Sequence, residues 1–131
     1  MLKQSIIVAL GGALGSVARY KFGGFLLHHT ESWNFPASTF CVNLCGCFAT
    51  GALAAIAEHH DLLSASARSF VFTGLLGGFT TFSAFGYESA FLLRRGMPSV
   101  ALAYAALSVV CGVAAVLLGL KAVDLLWPPR P

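Results

Sequence analysis

Charge is scarce in this sequence: only 10% of its 131 residues are Asp, Glu, Lys or Arg, and mean hydropathy is +0.80. A soluble domain carries roughly 25% charged residues, so this chain cannot clothe a water-facing surface. An oversized soluble core offers no escape, because so short a chain leaves much of its area outside. The apolar surplus is therefore expected to face lipid. Runs of like charge, low-complexity tracts and linkers are all missing, and the net charge of +3 is too small and scattered for a nucleic-acid stripe. The period-2 alternation of a membrane barrel strand is missing too.

Other absences narrow the reading. The opening Met1-Leu2-Lys3-Gln4 with an apolar run behind it resembles a signal peptide. Yet the run reaches Leu27 with Arg19 inside it and has no clear cleavage signature, so it reads as a retained helix. That run, Ser5 to Leu27, contains no Asp or Glu, which counts against a proton/drug exporter of the small multidrug-resistance type, the main alternative. Zinc ligands favour hydrophilic loops or caps, whereas Cys41, Cys45 and Cys47 lie in an apolar run and Cys111 in another, so packing is their expected role. The His28-His29 and Glu58-His59-His60-Asp61 clusters could suggest a metal enzyme, but they fall in short loops on opposite membrane sides.

What is present is length. A spanning helix needs roughly 20 mainly apolar residues, and four stretches qualify: Ser5 to Leu27, Ala37 to Ala57, Ser66 to Leu93 and Pro98 to Trp127. Pro36 suits the start of the second, Arg94-Arg95-Gly96 closes the third and Pro128-Pro129 ends the fourth. Short loops predict one all-α integral membrane domain over residues 1–131, with sequential helices as neighbours and both termini on one side. That side carries Lys3, Arg68, Lys121 and Arg130, and the opposite side Arg19, Lys21, Arg94 and Arg95. Four against four gives the positive-inside rule almost nothing to act on. Dual topology and an antiparallel homodimer are the expected consequence, unless a weak bias such as Arg94-Arg95 decides.

Gly11-xxx-Gly15 and Gly74-xxx-Gly78 predict close helix packing. Polar groups at membrane depth face a bundle interior, a partner or water. Thr39 and Asn43 share one face of the second helix, and Tyr104 and Ser108 one face of the fourth. For Asn43, a structural interhelical hydrogen bond and a pore-lining role are equally open. The third stretch carries Gly77-Gly78 and Thr80-Thr81, so a helix break is expected near Gly77 to Thr81. Freed carbonyls there suit a small cation, and a new helix N-terminus suits an anion. Phe82 and Phe85 share a face beyond the break, and phenyl edges offer a small anion weak electropositive contact. Glu88, the one carboxylate well inside this stretch, fits proton coupling, a pore mouth or snorkelling equally. Arg19 fits either an anion vestibule or snorkelling.

Three motifs together resemble the CrcB/Fluc family of fluoride channels. They are Gly11-Gly12-Ala13-Leu14-Gly15-Ser16-Val17-Ala18-Arg19-Tyr20, Thr39-Phe40-Cys41-Val42-Asn43-Leu44-Cys45-Gly46 and Gly77-Gly78-Phe79-Thr80-Thr81-Phe82-Ser83-Ala84-Phe85. The resemblance implies a dual-topology homodimer in a prokaryotic inner membrane, with two antiparallel pores that export fluoride passively. It implies that Asn43 lines the pore, that Phe82 and Phe85 present ring edges, and that Gly77 and Thr80 give backbone carbonyls to a central structural sodium ion. Arg19 would stand at the vestibule, and Thr39, Ser83, Tyr104, Ser108 and Glu88 along the polar path. Ser38 departs from the glycine frequent at its position, with little consequence expected. For dual topology, a reporter fused to the C-terminus is expected on both membrane faces; signal confined to one face refutes it.

Overall fold

The computed structural model describes residues 1–59 and 63–128, and every regular element among them is helical. Helix α1 spans Leu2–Thr30 and α2 spans Ala37–His59, with the Pro36 carbonyl accepting the first helical bond of α2 from the Phe40 amide at 3.1 Å. The third stretch is composite. It opens with α3 (Ala65–Arg68), capped by the Ser64 hydroxyl, widens into a π-helical run over Ser69–Leu76, and tightens to α4 (Gly77–Phe79). Thr80 and Thr81 are both extended, and α5 (Phe82–Arg94) follows. The last helix, α6, runs Pro98–Leu126 with proline in its first turn, where the missing amide costs nothing. His60, Asp61, Pro129 and Arg130, named above in the loop cluster, the chain end and the charge count, lie outside the described residues.

Three stretches are long and apolar enough to cross a membrane: Ala37–Glu58, Ala65–Arg94 and Pro98–Leu126. Helix α1 is equally long at 29 residues, about 43 Å at 1.5 Å per residue, but Arg19 and Lys21 interrupt it and it is not among the three. The apolar surface expected from composition is there: Leu10, Leu14 and Val17 on α1 and Leu102, Val109, Val110, Val113 and Leu117 on α6 are all exposed.

Close backbone approach, more than side-chain interlock, sets the packing. A Cβ on Gly11 would lie 2.5 Å from the Phe70 carbonyl oxygen and 3.0 Å from the Gly74 Cα, and one on Gly78 2.5 Å from the Gly12 carbonyl oxygen. The two predicted glycine pairs thus meet each other, letting α1 lie directly against the π-helical run and α4. Helix α6 approaches α2 in the same way: a Cβ on Gly119 would overlap the Phe48 carbonyl, and one on Gly51 the Val116 carbonyl. The most extensive packing is therefore α2 on α6 and α1 on the third stretch, while sequential helices are neighbours as expected, α1 with α2, α2 with the third stretch and α5 with α6. At the far end of α5, Gly96 takes φ +73, while the Gly96 amide bonds Leu93 and the Met97 amide bonds Leu92, each at 3.0 Å. That pattern closes the helix on a left-handed glycine.

Replacing Gly15, whose added Cβ would overlap the Leu75 carbonyl, by valine is expected to lower unfolding stability by about 1–3 kcal/mol or more. Gly24→Ala, with nothing within 4 Å of its Cβ, should stay within about 0.5 kcal/mol. Reversible denaturation in detergent separates the two, and equal losses would remove the close-approach account.

Candidate functional site

A helix interrupted at membrane depth must find partners for its freed backbone groups, since hydrocarbon supplies none. Asn43 does most of this. Its Oδ1 accepts the Thr81 amide at 2.8 Å and its Nδ2 donates to the Thr81 carbonyl at 3.0 Å, so one carboxamide grips both sides of one extended residue. Asn43 still lines a cavity of about 300 Å³ with Cys47, Thr50, Thr80, Thr81, Phe82 and Val116. The structural interhelical bond left open by the sequence is thus present, and the same side chain also faces a cavity. Thr81 then caps the new helix, its hydroxyl accepting the Ala84 amide at 3.2 Å. A threonine three residues before that amide is an N-cap signature readable from sequence.

The break releases particular carbonyls. In an unbroken helix the Thr81 and Ala84 amides would bond Gly77 and Thr80; here they go to Asn43 and to the Thr81 hydroxyl. Thr80 keeps its own amide and hydroxyl on the Leu76 carbonyl, both at 2.9 Å. Its freed carbonyl receives the Arg19 guanidinium in a long 3.4 Å contact, and Ser16 makes a similar 3.5 Å contact to the Gly78 carbonyl. Arg19 therefore turns inward, half-buried, where an outward snorkel was equally open. Gly77 is exposed, with its released carbonyl beside the break.

Arg19 also lines an open cavity of about 470 Å³ with Ser38, Thr39, Thr81, Ser83 and Tyr87. The N-terminus of α5, whose unpaired amides carry partial positive charge, opens beside it. Guanidinium, helix end and neutral hydroxyls together favour a small anion. Ser38 has more consequence than the sequence suggested. Its hydroxyl donates to the Gly23 carbonyl at 2.7 Å and ties α2 to α1 at the cavity wall.

Farther along α5, Glu88 accepts hydrogen bonds on both oxygens: from Thr39 at 2.6 Å and from Tyr104, which is fully buried, at 2.7 Å. Thr39 thus spends its hydroxyl across helices and not on its own backbone. Phe85 packs on Tyr104 (centroids 5.0 Å) and is tilted against Phe82 (5.4 Å, 37° between planes), as their spacing predicts. Phe82 is 84% exposed at membrane depth, and Ser83 is exposed with its hydroxyl 3.3 Å from that of Thr81. Ser108 stands half-buried one turn beyond Tyr104 on α6, and among the described residues no hydrogen bond joins it to the Glu88 cluster. Three helices, α2, α5 and α6, thus bring Thr39, Asn43, Phe85, Glu88 and Tyr104 together. Arg19 reaches the same region from α1. All four cysteines are free thiols.

A multi-pass helical membrane protein with a capped break and a polar track beside it is the class that fold and site define. The chain belongs to the CrcB family: the family model described as "CrcB-like protein, Camphor Resistance (CrcB)" matches residues 6–120. It is 46% identical over 122 residues to the fluoride-specific ion channel FluC of Methylobacillus flagellatus, covering 93% of this chain and 95% of that protein. To the FluC of Paracoccus denitrificans it is 48% identical over 113 residues (86% and 88% covered), and to that of Azobacteroides pseudotrichonymphae 39% over 119 (91% and 94%).

Removing the carboxamide by Asn43→Ala leaves the Thr81 amide and carbonyl without partners and is expected to cost at least about 1–3 kcal/mol in stability for each of the two groups. Detergent denaturation measures it, and a neutral variant would show that Asn43 does not hold the break.

Proposed function

We propose that this protein is a fluoride channel, carrying the ion passively out of the cytoplasm through the inner membrane of a prokaryote, with transport and not catalysis as its work. The observation that carries this is the run of neutral donors and ring edges flanking the α4–α5 break, in a chain whose relatives are named as fluoride-specific ion channels. Fluoride is small and strongly hydrated. To cross, it must exchange water for several donors, none so strong that it stays. The Ser83 and Thr81 hydroxyls, the Asn43 amide and the edges of Phe82 and Phe85 suit that exchange. Arg19 and the α5 N-terminus would concentrate the anion at one mouth, with Thr39, Tyr104, Ser108 and Glu88 along the rest of the path.

All four long helical stretches span in this reading. The close lie of α1 on the third stretch supports it, because Arg19 then faces polar backbone instead of lipid. The functional unit is an antiparallel homodimer with two pores, each using both subunits; the four-against-four distribution of Lys and Arg across the membrane supports this. The Gly77 and Thr80 carbonyls lose their helical partners at the break and would suit a sodium ion, as unwound backbone oxygens do, with Thr80 giving up its long 3.4 Å contact from Arg19. They would hold it at the dimer centre, two from each subunit, where it joins the subunits and neutralises carbonyl dipoles. No observation favours the drug exporter.

Liposomes containing the purified dimer should release fluoride only when valinomycin allows potassium to follow, and should retain chloride. Phe82→Ile or Phe85→Ile should slow release at least roughly tenfold with the dimer intact, the scale of one lost ion contact at about 1.4 kcal/mol. Well-folded dimers that release nothing would overturn the reading.

A further inference from the structure

Beyond Glu88 the track continues into a second cavity of about 210 Å³, lined among others by Glu31, Ser38, Tyr87, Glu88, Phe91 and Arg95. Ser38 and Tyr87 also line the Arg19 cavity, so the two are separated only by shared walls. The charges of the second cavity are unbalanced for an anion. Two carboxylates, Glu31 and Glu88, face one guanidinium, Arg95. Thr39 and Tyr104 donate hydrogen bonds to Glu88 but bring no charge of their own. Arg95 halves the net negative charge of that wall; without it, this end of the path would repel far more strongly the ion that the Arg19 end attracts.

Arg95 is held in position. Its guanidinium lies 5.7 Å from the centroid of the Phe91 ring, and Phe91 is stacked in turn on Tyr87 at 6.2 Å with 14° between planes. A ring beneath the flat of a guanidinium leaves the N–H edges free to donate. The backbone of Arg95 closes α5 ahead of Gly96, and that turn uses no atom of its side chain. Arg94, one residue earlier, is exposed as well. It lines a different cavity, with Tyr87, Ala90, Phe91 and Arg95, and has no part in the wall around Glu88.

We propose that Arg95 forms a second anion site at the Glu88 end of the path, the counterpart of Arg19, and passes fluoride between that cavity and water. The proposal rests on the channel reading above. It predicts an effect that is electrostatic, local and specific to one of two adjacent arginines.

The test is fluoride release from liposomes at low and high ionic strength, on variants confirmed as dimers by size. At about 0.02 M salt, where screening is weak, Arg95→Gln should slow release roughly tenfold, within the range of electrostatic steering. Near 1 M the loss should shrink to about twofold or less. Arg95→Lys should keep most of the rate, Arg94→Gln should match the unmodified protein, and Glu31→Gln should be faster at low salt. Equal behaviour of the two arginine variants overturns the proposal, as does a loss at Arg95 that ignores salt, which marks a merely structural role. If the unmodified protein releases no fluoride, the channel reading falls and this site with it; normal release with an inert Arg95 removes this site alone.

Discussion

The pairing of Asn43 with the backbone of Thr81 is the constraint on which the rest of this structure depends. Each backbone group left without a partner in hydrocarbon costs several kcal/mol, so a helix broken at that depth is tolerable only if its ends are claimed. One carboxamide offers a donor and an acceptor on the same plane, and Thr81 needs both. Asparagine also suits a neutral path, since it completes the backbone pattern without adding charge. The Thr81 hydroxyl then caps α5, and Thr80 doubles its bonds on Leu76. Two consecutive threonines are therefore not redundant: one finishes the helix before the break and the other starts the helix after it.

This arrangement determines what α1 must be. The freed carbonyls of Gly78 and Thr80 meet Ser16 and Arg19, both on α1, and they do so only because α1 lies at backbone distance from the third stretch. That distance is set by Gly11, Gly12 and Gly15 against Gly74 and Gly78. Glycine packing and the polar chemistry are thus one device. A bulkier seam would move the guanidinium away from the carbonyl before it touched any residue of the track. Arg19 gains a polar contact for its charge, and the break gains a donor it would otherwise lack.

The architecture was largely legible in the sequence, because hydropathy over roughly 20 residues is a strong signal and helix-breaking residues in the middle of a span are conspicuous. The all-helical character, a break within the Gly77 to Thr81 window, which falls at Thr80 and Thr81, and the shared face of Phe82 and Phe85 all follow from local pattern. Partnerships across helices were harder to read. That Thr39 and Tyr104 meet on Glu88, or that Ser38 ties to Gly23, depends on helix rotation and approach, which spacing on one helix cannot fix. The π-helical run over Ser69–Leu76 was not legible either, as its extra residue per turn leaves no compositional mark. The main packing of α2 on α6 rests on Gly51 and Gly119, but the glycines of each helix, Gly46 with Gly51 and Gly112 with Gly119, do not form the Gly-xxx-Gly spacing that marks a packing seam, so the signal was weak.

The position of Glu88 poses the harder physical question. A carboxylate beside an anion path looks self-defeating, yet its two oxygens hold the hydroxyls of Thr39 and Tyr104. A hydroxyl has one proton to donate. While Thr39 and Tyr104 give theirs to Glu88, neither can offer it to a passing ion. In the proposed path an arriving fluoride therefore competes with Glu88 for the same protons. Each transfer from carboxylate to fluoride exchanges one charge-assisted hydrogen bond for another, so the net change is small. A site built from free hydroxyls would bind the anion outright and hold it. One whose hydroxyls are already engaged binds weakly and releases quickly, as conduction requires. On this view the carboxylate limits how tightly the ion is held, and the buried ring of Tyr104, clamped by Phe35 and Phe85, keeps that competition at one place along the path.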